Sequence, residues 1–186
     1  MIFINTLELA FKKNSNPENA FAMSKYMKNN FPFFGIKTED RRRIFKEIWK
    51  QNKNKVAENV REIALELYSK PEREFHYCAI EILIKELKGN YKKEDIQLIE
   101  KLILKNSWWD SVDTIAKNIL GEYLLEFPSE TKNVIARFSK SDNMWLNRSA
   151  ILFQLGYKQK TNANFLFSEC LKQSHSEEFF IKKAIG

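Results

Sequence analysis

The chain has 186 residues, of which 44% are hydrophobic and 30% charged, and its formal net charge is +7. These proportions are ordinary for a folded domain with a buried core, so they exclude wholesale disorder. No apolar run reaches the roughly 20 residues that a membrane-spanning helix needs, and charges follow the first apolar residues too soon for a secretory signal. We therefore expect a cytoplasmic protein with no membrane partner.

The charge balance favours a polyanionic partner. Lysine and arginine number 31 against 24 acidic residues, and such an excess most simply suits nucleic acid. The alternative is a charge that serves solubility alone. Between residues 37 and 55 only Glu39, Asp40 and Glu47 oppose a concentration of basic residues. The eight basic residues are Lys37, Arg41, Arg42, Arg43, Lys46, Lys50, Lys53 and Lys55.

Apolar residues recur at helical spacing from the start of the chain, and glycines and prolines are few. Pro17 and Pro71 suit the first turn of a helix, and Thr38 is a predicted N-cap. Alternation with period two is nearly absent, so the predicted fold class is all-α. The helical groups are Phe3, Leu7, Ala10 and Phe11; Val56, Val60, Ile63, Ala64 and Leu67; and Ile96, Ile99, Leu102 and Ile103.

The helices also show a repeat, marked by Ala79, Ala116, Ala150 and Ala184 at separations of 37, 34 and 34 residues. An apolar residue precedes each alanine by four positions. Such spacing predicts a curved α-solenoid of antiparallel helix pairs, of the HEAT or TPR kind, as one domain over residues 1–186. The alternative is a chance alignment of alanines. The preceding apolar residues are Phe75, Val112, Leu146 and Phe180.

Near the end of the chain, Ser174 and Glu177 are spaced as a capping box. The sequence then stops at Gly186 without a polar closing repeat, which a solenoid normally needs. We expect the natural protein to continue with further C-terminal helices; the alternative is that Gly186 is a simple helix stop. Cys78 and Cys170 lack metal-ligand spacing, so we expect reduced core cysteines, no metal and no cofactor.

The most informative stretch is "NSWWDSVDT", residues 106–114. Ser107 and Asp110 fit a capping box, which would start a helix at Ser107. Trp109 and Asp113 are then one turn apart on one face, beside an apolar stripe. A surface aspartate is usually structural or idle, but an exposed tryptophan beside it is uncommon. The stripe comprises Trp108, Val112, Ile115, Ala116 and Ile119.

A second unusual stretch lies one repeat later, where Trp145 and Arg148 share a helix face. In the alanine register Asp113 and Arg148 stand at similar heights on adjacent helices. An ion pair between neighbouring helices is an equally open interpretation of Arg148. A carboxylate flanked by an aromatic face and an arginine suits a transient cation, such as the oxocarbenium-like sugar formed when an N-glycosidic bond breaks. An alkylated, positively charged base leaves without a general acid, so Asp113 would stabilise the sugar cation and orient water.

Four segments resemble the bacterial DNA alkylation repair family of AlkD-type DNA glycosylases, over essentially the whole chain. The resemblance implies a stack of HEAT-like repeats. It also implies excision of N3- and N7-alkylated purines, such as 3-methyladenine and 7-methylguanine, from double-stranded DNA in base excision repair, by a metal-free enzyme. The segments are "NPENAFAMSKYMKNNFPFFGI" with "RRR" following, "NSWWDSVDTIAKNILG", "SDNMWLNRSAILFQLGYKQK" and "EFFIKKAIG".

By this resemblance Asp113 is the catalytic carboxylate, Trp109 contacts the lesion nucleotide and Arg148 grips the DNA backbone near it. Tyr26 is a further aromatic of the cleft. In the family the last helix runs on into a tryptophan that completes the cleft, whereas this sequence stops at Gly186. We also expect a monomer. Phosphate contacts are predicted from their neighbourhood for Lys28, Lys158 and Lys182.

Two other functions stay open. One is a non-catalytic HEAT-like protein that binds distorted or branched DNA. The other is a protein–protein scaffold, which the basic residues and the paired aromatic and charged sites suit less well.

Overall fold

The computed structural model describes residues 2–186, and within them all regular structure is helical. The predicted all-α class, built from helix pairs, is therefore confirmed. By its contacts the chain divides into two compact units, Met1–Glu86 and Leu87–Gly186. No helix in the described residues is both long and apolar enough to cross a membrane.

The first unit contains six helices. Helices α5 and α6 are joined by three residues and pack closely against each other, and α1 packs against α3. Short connections of this kind join antiparallel neighbours. The helices are α1 (Ile2–Lys13), α2 (Pro17–Tyr26), α3 (Thr38–Gln51), α4 (Lys53–Glu58), α5 (Val60–Ser69) and α6 (Arg73–Glu86).

The loop between α2 and α3 is held by a buried carboxylate on α6. Backbone N–H groups of Phe34, Gly35 and Ile36 all donate to Glu74, at 3.1, 2.9 and 3.1 Å. Burial raises the pKa of Glu74, and these hydrogen bonds offset part of that rise. Glu74 therefore satisfies three loop donors that would otherwise be unpaired.

The second unit contains seven α-helices, a π-helical turn and two short 3-10 turns. Helix α11 packs against α8, the π turn, α10 and α13. The helices are α7 (Asp95–Leu104), α8 (Trp109–Ile115), α9 (Gly121–Glu126), α10 (Thr131–Ser139), α11 (Met144–Leu152), α12 (Ala163–Lys172) and α13 (Phe179–Ile185). The π turn is Ala116–Leu120, and the 3-10 turns are Pro128–Glu130 and Lys158–Lys160.

The alanine register corresponds to a real packing feature. Ala79, Ala116 and Ala150 are fully buried, while Ala184 is half-buried on α13. Within the second unit the register links the π turn, α11 and α13, and α11 packs against both of the others. A small side chain at these positions lets neighbouring helices approach closely.

Several predicted helix starts are wrong. Pro17 does open α2, capped by Asn16, whose side chain accepts from the N–H of Asn19. Pro71, however, lies in the bend before α6, and Thr38 is the first residue of α3, after the N-cap Lys37.

Both predicted capping boxes are also wrong. Helix α8 begins at Trp109, and the Ser107 hydroxyl donates backwards to the carbonyl of Ile103. Helix α13 begins at Phe179, and the Ser174 hydroxyl donates to Leu171. In both cases the serine donates to a carbonyl near the end of the preceding helix, and the N-cap of the next helix is a later residue, Trp108 or Glu178, without a side-chain cap.

The two cysteines are free and differ in burial. Cys78 is fully buried, and burial raises the pKa of its thiol to about 12, so it is a neutral core side chain. Cys170 is only partly buried on α12, so the prediction that it lies in the core is wrong. Within residues 2–186 no group of His, Cys, Asp or Glu side chains is arranged to hold a metal ion.

Candidate active site

The candidate site is centred on helix α8. Trp109 is its first residue and Asp113 lies one turn further on; both are partly exposed, while Val112 and Ile115 between and beside them are fully buried. The predicted position of the Trp109–Asp113 face at the edge of the core is therefore confirmed. It follows directly from the i, i+4 spacing.

Arg148 of α11 forms a two-pronged ion pair with Asp113. Its Nε donates to Oδ1 at 2.7 Å and its Nη2 donates to Oδ2 at 2.8 Å. The Arg148 side chain is 8% exposed, whereas that of Asp113 is 30% exposed. The ion pair that the sequence left open is thus present, and the carboxylate keeps an open side.

Helix α13 fixes the other end of the guanidinium. Nη1 of Arg148 donates to the backbone carbonyl of Phe180, and the guanidinium carbon lies 5.9 Å from the Phe180 ring centroid. The Phe180 ring is 5.2 Å from Trp108 and 5.0 Å from Trp145, and the two indoles are 6.0 Å apart. Three aromatic rings from three segments therefore pack together next to the ion pair.

Asn147, beside Arg148, was not predicted to matter. Its side-chain amide donates to the carbonyls of Phe138, Ser139 and Ser141, at 2.9, 3.3 and 2.9 Å. These carbonyls end α10 and begin the loop after it, where helices leave acceptors unpaired. Asn147 therefore anchors α11 to α10 one residue away from Arg148, and no local sequence signal indicates this.

Comparison with known proteins decides the family. The family described as DNA alkylation repair enzyme matches residues 7–186, nearly the whole chain. The chain belongs to this family. A solved structure described as a predicted DNA alkylation repair enzyme from Enterococcus faecalis is 32% identical, with a TM-score of 0.81, over 91% of this chain and 79% of that one. None of the curated proteins compared with the chain matches it.

Family membership confirms the resemblance seen in the sequence, and it makes the repair of alkylated DNA the shared activity. The basic excess of the chain suits this activity, because a DNA partner is a polyanion.

The other residues predicted to contact DNA are spread over both units. Tyr26, at the end of α2, is 68% exposed, and Lys28 follows it with a positive φ of 56°. In the second unit Lys158 is exposed with a φ of 51°, and Lys182 forms an ion pair with Glu177. Neither of these two lysines bonds to Asp113 or Arg148 in the described part of the chain.

The arginine triplet after residue 40, counted in the sequence among the basic residues that favour a polyanionic partner, is paired with acidic side chains. Arg41 is buried and donates to Glu81 at 2.8 Å, and Arg42 donates to the same carboxylate oxygen at 3.0 Å. Arg43 pairs with Asp40 on its own helix. Acids on the same and a neighbouring helix neutralise this triplet, which charge counting along the sequence cannot show.

Replacing Arg148 with methionine is expected to lower the free energy of unfolding by about 1–3 kcal/mol. The loss stays below that of a fully buried pair because the Asp113 carboxylate, 30% exposed, can take up water. Urea unfolding of the purified protein measures the change.

Arg137→Met is the matched control. Arg137 of α10 pairs with Glu100 of α7, again between helices of the second unit, but its side chain is 49% exposed. Exposed ion pairs contribute about 0–1 kcal/mol to the free energy of unfolding, so Arg137→Met should lower it by no more than that. Equal losses for the two variants would show that the Asp113–Arg148 pair behaves as an ordinary surface contact.

Proposed function

We propose that this protein is a DNA N-glycosylase that releases positively charged N3- and N7-alkylated purines from duplex DNA. The observation that carries the proposal is the partly exposed Asp113 carboxylate, which Arg148 holds at two oxygens on the Trp109 face of α8. Membership of a DNA alkylation repair family supplies the substrate class.

The chemistry needs a fixed negative charge close to the sugar. As the bond between C1′ and the base nitrogen breaks, its electrons pass to the base and cancel the base's positive charge. The sugar is left as an oxocarbenium-like cation, which a carboxylate stabilises electrostatically. Water then bonds to C1′ and gives up a proton, for which Asp113 is the nearby acceptor.

The ion pair with Arg148 shapes this role. Each Asp113 oxygen accepts one hydrogen bond from the guanidinium, which leaves further acceptor capacity on both oxygens. Because the guanidinium lies on the protein side, a cation on the open side would be nearer to the carboxylate than to Arg148. Arg148 therefore acts as a positioning residue that fixes the carboxylate.

This role differs from the phosphate grip that the family resemblance implies for Arg148. Three of its N–H groups already bond to Asp113 and Phe180, and its side chain is 8% exposed. A phosphate contact would need the guanidinium to leave these partners or to use its remaining donors.

Trp109 would complete the site. It shares a helix face with Asp113, and an aromatic face attracts a cationic base by about 0.5–2 kcal/mol. The positive charge that makes the base a good leaving group thus also favours its binding beside Trp109.

The ion pair also favours a second candidate function, a non-catalytic protein that binds distorted or branched DNA. A carboxylate neutralised by arginine can serve packing between α8 and α11 alone. In that case the protein would hold damaged duplexes without removing a base.

Base release from methylated duplex DNA separates the two functions. The proposal predicts that the protein releases 7-methylguanine and 3-methyladenine well above the spontaneous rate, and that abasic sites appear in equal amount. An unmethylated duplex of the same sequence is the control. Binding of distorted duplexes without any base release would establish the second function instead.

A further inference from the structure

A sharp corner between α3 and α4 carries unpaired positive charge. Helix α3 ends at Gln51 and α4 begins at Lys53, so the chain turns at Asn52 alone. We call residues 50–55 the basic corner. They line a polar pocket of about 330 Å³. The six residues are Lys50, Gln51, Asn52, Lys53, Asn54 and Lys55.

Hydrogen bonds hold the corner in shape. The backbone N–H of Asn52 donates to Trp49 and its side-chain amide donates to Ile48, both at 2.9 Å. The N–H of Val56 donates to the Asn52 carbonyl at 3.0 Å. The exposed lysines therefore project from a defined turn.

The three corner lysines differ from the arginine triplet before them. Lys50, Lys53 and Lys55 are exposed, and none of them forms an ion pair with a carboxylate in the described chain. The triplet at residues 41–43 is paired throughout. The corner therefore holds three of the five exposed lysines between residues 37 and 55 that form no ion pair in the described chain, the other two being Lys37 and Lys46.

A solvated surface or a helix dipole does not account for all three lysines. Lys50 lies in the last turn of α3, where a cation is favourable. Lys53 is the first residue of α4, whose first turn has no acidic residue, and there a cation is unfavourable, whereas Lys55 lies in the last turn of this six-residue helix. Local electrostatics thus disfavours the charge of Lys53, and an external anion would compensate it.

We propose that the basic corner binds the phosphodiester backbone of duplex DNA, as a contact of its own on the first unit. Lysine is a flexible point charge that suits phosphate, and the amides of Gln51 and Asn54 add hydrogen-bond donors. Such contacts position DNA and carry no sequence information. The proposal requires DNA as the partner but does not depend on base removal by Asp113.

The test is the salt dependence of binding to a short unmodified duplex. Lys50→Gln, Lys53→Gln and Lys55→Gln are combined in one variant. Each phosphate contact contributes about 0.9 to the slope of log affinity against log salt, so the slope should become shallower by about 2–3. The measured quantity is binding to an unmodified duplex, so it does not depend on base removal by Asp113.

The control variant combines Lys101→Gln, Lys105→Gln and Lys132→Gln. These lysines are also exposed and unpaired in the described residues, so both variants lower the net charge of +7 by the same three charges. The control should keep nearly the wild-type slope, and so should a triple arginine variant of the corner. Equal changes in the two glutamine variants, or a shallower slope in the arginine variant, would overturn the proposal. Thermal unfolding checks that every variant is folded.

Discussion

Replacing Gly35 with alanine is expected to lower the free energy of unfolding by about 3 kcal/mol or more. Gly35 has a φ of +82°, which side chains other than glycine rarely adopt. An added Cβ would lie 2.1 Å from the Asn16 carbonyl oxygen and 2.5 Å from the backbone nitrogen of Ala20. Backbone strain and a clash with backbone atoms therefore add together.

Gly89→Ala separates these two effects. Gly89 has a similar φ of +73°, but no atom lies within 4 Å of the position of an added Cβ. The Gly89→Ala substitution should lower the free energy of unfolding only by the strain of the backbone conformation, about 1 kcal/mol. Urea unfolding of both variants gives the comparison. If Gly35→Ala costs no more than Gly89→Ala, the close approach of the loop to α2 is not present in solution.

Only part of the loop around Gly35 could be predicted. A glycine after "PFF" indicates a turn. No residue near Gly35 in the sequence indicates that the carboxylate of Glu74, 39 residues later, accepts a hydrogen bond from the N–H of Gly35. Bonds between distant segments depend on how helices pack, and a local pattern carries no information about that.

The fold class was predictable because it rests on periodicity. Helical spacing predicts the helices, and the alanine register finds Ala79, Ala116 and Ala150 at buried contacts. Helix starts were less predictable. Ser107 can donate to the helix before it or accept from the helix after it, and the sequence fits both.

The candidate site was also predictable only in part. The face shared by Trp109 and Asp113 follows from spacing within one helix, and the nearness of Arg148 follows from the repeat. The sequence does not reveal that the Phe180 carbonyl accepts a third hydrogen bond from Arg148. This bond helps to keep the Arg148 side chain buried. That bond involves a third helix, α13, whose start was also predicted wrongly.

Replacing Asp113 with asparagine is expected to slow base release by at least about 100-fold, the scale of losing one preorganised electrostatic contact to a transition state. Asparagine keeps the shape of the side chain but removes its charge. It also leaves the guanidinium of Arg148 without its counter-ion, so some stability should be lost as well. Activity must therefore be compared under conditions in which every variant is folded.

Arg148→Met supplies the comparison that separates chemistry from structure. It breaks the same ion pair but keeps the Asp113 carboxylate itself, now without the guanidinium that fixes its position. If Asp113 serves only as the partner of Arg148, the two variants should lose base release equally. If the carboxylate acts on the sugar cation, Arg148→Met should keep much more activity than Asp113→Asn.

The decisive measurement is the single-turnover rate of 7-methylguanine release from methylated duplex, with wild type, Asp113→Asn and Arg148→Met each at saturating concentration. We predict that Asp113→Asn binds the duplex as tightly as wild type and is at least about tenfold slower than Arg148→Met. Equal rates for the two variants, or wild-type release by Asp113→Asn, would contradict a catalytic role for the carboxylate.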